Sequence, residues 1–186
     1  FTRDAHANDD NFHGTHVASI IAEATNNGSG ASGIAHQSAI MPVKVLDRDG
    51  FGSNSGIAEG IDYVVNFRQG GVNPVRVINL SLGGTTRSQT LASAIDRAVA
   101  ASITVVASAG NDNTSPVDYP AAYDNVIAVG SVDLRKVKAS YSSFGSALDL
   151  MAPGGDNRRD DNADGRPDGV LQQMFDPASA ASGRYD

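Results

Sequence analysis

The sequence predicts an α/β fold in three layers, with a mostly parallel sheet and helices on both faces. Two observations carry that expectation. Short runs rich in β-branched residues are mostly apolar, without the strict alternation of a strand that keeps one side in water. Between them lie longer segments whose apolar residues return every three or four positions, as on one face of a helix. Strands buried on both faces and separated by helices build parallel sheets. With 186 residues, 40% of them hydrophobic, the chain is long enough for one domain with a sizeable core. Its 20 glycines suit a protein with many tight turns.

The elements follow in order. A first helix is expected over about 13–23, where Val17, Ile20 and Ile21 share a face and become its buried side. Residues 40–46 (Ile-Met-Pro-Val-Lys-Val-Leu) read as a buried strand. Ile57, Ile61, Val64 and Val65 mark a second helix, and 75–80 a second strand. Leu91, Ala94, Ile95 and Ala98 mark a third helix, followed by strands at 103–107 and 126–129. Ligands of such sheets bind beyond the carboxyl ends of the strands. Past Gly155 the composition changes: 156–169 is charged and reads as a surface loop, and 178–186 is small and polar.

Composition excludes several classes of function. A formal net charge of −7 argues against nucleic acid, which needs clustered Lys and Arg. There are no cysteines, hence no disulfides, thiol chemistry or cysteine-bound metals. No apolar run reaches the roughly eighteen residues of a membrane-spanning helix. No signal peptide is visible and the first residue is not Met, so the start is expected to be missing or processed.

Asp9-Asp10-Asn11-Phe12 precedes His13-Gly14-Thr15-His16-Val17-Ala18. Acidic and Asn residues cap helices, which puts His13 in a first turn. An imidazole in that position is a candidate general base. Local chemistry also allows a surface capping histidine, or a metal site using His6, His13 and His16. At 105–111, a buried strand runs into Ala109-Gly110-Asn111; taken alone, Gly-Asn signals a turn.

These segments together resemble subtilisin-like serine proteases (subtilases). His13-Gly14-Thr15-His16-Val17-Ala18 is similar to the family's histidine motif, with Ser19 where Gly is usual. The resemblance implies that His13 is the catalytic base and that His16 packs. It makes the Asn111 amide a donor to the oxyanion. It assigns Ser81, Leu82 and Gly83, with Ala109 and Gly110, to the walls that bind an extended peptide, and Gly52 to the opposite edge. It also implies a cis bond at Tyr119-Pro120. The match runs from about Asp10 to Gly155. The family's aspartate motif (Asp, then Ser or Thr, then Gly) and its Gly-Thr-Ser-Met-Ala serine motif are both absent from positions 1–186. Asp4, Asp9 and Asp10 sit too close to His13, and Ser179 and Ser182 lack the motif. The expectation is therefore a partial catalytic domain over 1–186 of a secreted, monomeric endopeptidase acting on peptides or proteins. A catalytically dead peptide-binding homologue is the alternative.

Calcium is the expected cofactor. Asp160, Asn162, Asp164, the carbonyl of Arg166 and Asp168 occupy the first, third, fifth, seventh and ninth places of an EF-hand-type loop. The twelfth place is Leu171, so the bidentate acid is missing, and a solvated acidic turn is the competing reading. The resemblance adds a second loop, 25–31, with Asn27 as side-chain ligand.

Overall fold

The computed structural model describes residues 8–174. His6, Asp4, Ser179 and Ser182 lie outside the described residues. The chain forms two compact units, one containing residues up to Gly60 together with those from Leu171 on, the other Ile61–Val170.

The second unit holds the sheet. Strands β1 (Val77–Leu80), β2 (Thr104–Ser108), β3 (Ile127–Val132) and β4 (Leu150–Pro153) lie side by side in that order. Every neighbour pair is parallel. Register places Ile78 beside Val105, Leu80 beside Ala107, and Ala107 beside Ala128, and all five side chains are buried. The opposite face carries Val106, Ile127 and Val129, all half-buried. Two short strands, β5 (Gly155–Asp156) and β6 (Asp168–Gly169), pair antiparallel.

Helix α3 (Gln89–Ala100) packs on β2. Leu91, Ala94, Ile95 and Ala98, spaced three, one and three apart, are at most 2% exposed. The helix starts where Ser88 accepts the Leu91 N–H with its hydroxyl. Helix α2 (Asn54–Asn66) spans the boundary between the units. Asn73 ends it: its amide donates to the carbonyls of Val64 and Val65, while its oxygen accepts from Val75 N. That clasp turns the chain into β1.

In the first unit, helix α1 spans His13–Ala22. Two expectations fail here. Residues 40–46 run without ladder hydrogen bonds, because no described segment lies beside them as a strand. The apolar stripe of α1 is only half-buried, and the buried residue is Ser19. The Ser19 hydroxyl lies 2.7 Å from the carbonyls of both Thr15 and Gln173, donating to one at a time. It thereby ties the helix to the segment at 171–174.

Candidate active site

His13 opens α1 with its side chain exposed, and His16, one turn on, is half-buried. The residue just before the helix, Phe12, has φ 80° and makes no side-chain cap. Asp9 does that work from further back. One carboxylate oxygen accepts from Asn11 N (3.0 Å) and Phe12 N (3.1 Å), the other from Thr15 N (2.7 Å) and Thr15 Oγ1 (2.8 Å). Burial works to raise the Asp9 carboxyl, but these four donors outweigh it and hold the group below its ordinary 3.8. A depressed carboxyl stabilises the fold fully above 3.8 and loses that contribution as pH falls through its lower folded value. Asp9→Ala is therefore expected to cost about 1 kcal/mol of unfolding free energy at neutral pH. Urea midpoints of the two proteins should converge in strong acid; a gap that persists there removes the ionised cap as the cause.

Three segments of the second unit meet at the carboxyl ends of β1 and β2. Parallel pairing of Leu80 with Ala107 sends Ser81-Leu82-Gly83 and Ala109-Gly110-Asn111 out side by side. A third segment, 117–120, locks them. Gly84 and Tyr119 exchange both backbone hydrogen bonds at 2.9 Å, and Asp118 N donates to Ala109 O at 2.9 Å. Ser143 N donates to Gly110 O from behind. Gly110 has φ +104°, and a methyl group there would overlap the Asp118 carboxylate. A methyl on Gly83 would sit 3.2 Å from Asp118 Cβ and 3.3 Å from Tyr119 O. Gly110 is thus required by its backbone conformation, and Gly83 leaves little room for a side chain. Tyr119-Pro120 is cis, as expected, and so is Ser115-Pro116. Ser81 and Leu82 are half-buried, Ala109 is buried, and Asn111 is exposed.

Asp118 is the residue sequence reasoning missed. Its signal was an acid placed directly before Tyr119-Pro120, in a segment noted only for its proline. Burial and the charge of Asp112 both push its carboxyl above the ordinary value.

Gly52 belongs to the first unit and ends a turn in which Asp47 accepts from Asp49 N and Phe51 N. A methyl at Gly52 would overlap the Val45 carbonyl. Phe51 beside it is 76% exposed.

The acidic loop is only partly arranged for an ion. Asp160 and Asn162 both accept from Asp164 N, Asp160 also from Gly165 N, and Asp164 from Arg166 N. Asp168 does not join them: it is buried in β6, and its carboxylate accepts from Asp161 N. Among the described residues no three His, Cys, Asp or Glu side chains gather as a metal site requires. These bonds fold the loop around Asp160, Asn162 and Asp164, and Asp168 stands apart from them in β6. Asn27 likewise accepts from Ser29 N in an exposed turn.

A model of the subtilase family matches residues 2–183. A subtilisin of Bacillus pumilus is 48% identical over 150 residues, covering 78% of this chain and 52% of the relative. A thermostable alkaline protease of Halalkalibacterium halodurans is 44% identical over 146 residues, 78% of this chain and 38% of its own. A solved structure titled as a cold adapted subtilisin-like serine proteinase superposes with a TM-score of 0.71 at 36% identity, covering 81% of this chain and 52% of that one. The chain spans about half the length of these relatives or less. Matched by the family model over nearly all its residues, the chain belongs to the subtilase family.

Proposed function

We propose that residues 1–186 are part of the catalytic domain of a secreted, monomeric serine endopeptidase and supply its base and oxyanion donor. A serine hydroxyl attacks the scissile carbonyl while His13 takes its proton and returns it to the leaving amine. The Asn111 amide and a backbone N–H donate to the oxyanion, where a neutral donor suits developing negative charge. The peptide lies extended along Ser81-Leu82-Gly83 and Ala109-Gly110, held by main-chain hydrogen bonds that tolerate many sequences, and the resemblance assigns Gly52 to substrate binding as well.

The observation that supports this reading is the locking of the two strand-end loops by 117–120, which gives a rigid wall beside Asn111. The test uses the protein that carries this chain and a denatured protein substrate. Hydrolysis should be abolished by a fluorophosphonate, which titrates an activated serine. Insensitivity to the fluorophosphonate, with loss on chelation that calcium does not restore, would show a metal-dependent hydrolase instead. Residues 1–186 hold no serine motif, so this segment alone should take up no stoichiometric label.

Calcium enters the same proposal as a structural ion. Asp160, Asn162, Asp164, the Arg166 carbonyl and Asp168 could hold it, Asp168 through the carboxylate oxygen not bonded to Asp161 N. When bound, the ion cross-links loop oxygens and stabilises the folded chain. Calorimetric titration should give a heat of calcium binding that Asp164→Ala removes. The same heat in both proteins takes the loop out of the assignment.

A further inference from the structure

We infer that Asp118 selects the substrate: it makes the slot between Gly83 and Gly110 an acceptor for a lysine or arginine side chain at the residue before the cleaved bond. The inference rests on the endopeptidase reading of this site and adds the substrate class to it.

Position comes first. Asp118 is pinned from both sides, its own N–H on the Ala109 carbonyl and the next residue paired twice with Gly84. Its side chain therefore stands between the two walls. Each wall is glycine where it meets Asp118, at Gly83 and Gly110, so nothing larger covers the carboxylate.

The carboxylate has no counter-charge of its own. Among the described residues it has neither a hydrogen-bond nor an ion-pair partner, and the charged group that acts on it, Asp112, is also negative. A half-buried acid held this way is a poor structural element, because burial without a partner costs free energy. It is a good receptor for a cation delivered by a ligand, which supplies the missing counter-charge.

An ammonium or guanidinium group carries several donors and can satisfy the carboxylate. An apolar side chain would bury the carboxylate further without a partner, which is discrimination by penalty as well as by attraction.

The test compares peptide anilides that differ only at the residue before the cleaved bond, lysine against norleucine, with the protein that carries this chain. kcat/KM should favour lysine by about 10–100-fold, the size of one charge-assisted hydrogen bond. Asp118→Asn, equal in size, should bring the ratio close to one. Asp118→Ala should move it the same way, and unchanged circular dichroism shows that both variants fold. A ratio near one in the unaltered protein, or a lysine preference that survives both variants, overturns the inference. If neither anilide nor any protein is cleaved, the endopeptidase reading fails, and the slot is then read by binding. Calorimetry with tetrapeptides ending in lysine or norleucine should show the lysine peptide binding more tightly, and Asp118→Asn should remove the difference. Equal binding, or none, overturns the inference on its own.

Discussion

Replacing His13 by alanine is expected to lower kcat of the protein that carries this chain by about 10⁴-fold or more and to leave KM nearly unchanged. The magnitude is carried over from subtilisin, where losing one triad member costs about that much or more. The split follows from the proposed role, in which His13 moves a proton in the transition state and does not hold the peptide in the ground state. The structure suits that role. His13 opens α1 with its ring exposed, and Asp9 fixes the turn that carries it through four hydrogen bonds. His16 is half-buried one turn later, so His16→Ala should act through packing and cost far less activity. Initial rates on one anilide substrate for both variants settle the assignment. If His16→Ala is the inactive one, the roles are reversed.

Asn111→Ala is expected to lower kcat by about 10²–10³-fold, a size again taken from subtilisin's own oxyanion donor. That is about 2.7–4 kcal/mol of transition-state stabilisation. KM should stay within a few-fold, because the amide meets the oxygen only once it carries charge. Ala109 and Gly110, which hold the backbone before Asn111, are untouched by the change. Their bonds to Val129, Asp118 and Ser143 keep the loop in place, so the loss is not one of folding. Rates measured with substrate both well below and well above KM separate the two parameters. A rise in KM with kcat intact would make Asn111 a substrate-binding residue and nothing more.

Much of this was legible in the sequence, and the reasons differ by element. Helix α3 was readable because Leu91, Ala94, Ile95 and Ala98 follow the helical period and all four reach the core. β2 and β3 were readable because a continuous β-branched run has few alternatives inside a sheet. Residues 40–46 carry the same pattern and form no ladder, since a strand exists only with a neighbour and a sequence does not name one. The glycines of the strand-end loops were found as turns, yet Gly83 and Gly110 are also fixed by contact with Asp118. That contact joins residues 35 and 8 positions apart, and no local pattern reports it. The acidic loop at 160–166 was legible as a surface turn, but the turn of Asp168 into β6 was not, because ligand spacing does not report the pairing of β6 with β5.

The parallel sheet has a consequence in time. Its ladders join residues 27, 21 and 21 positions apart, from Val77 to Thr104, Val106 to Ile127 and Val129 to Leu150. Each pairing must close a loop of that size, entropy first and hydrogen bonds after, which makes such sheets slow to form. During that wait the chain is extended, its apolar strands open to solvent. For a protein read as an endopeptidase, an unfinished copy is the best substrate a finished copy can meet. Yield is then set by a race between folding and digestion, and folding speed counts in it as much as the stability of the folded state.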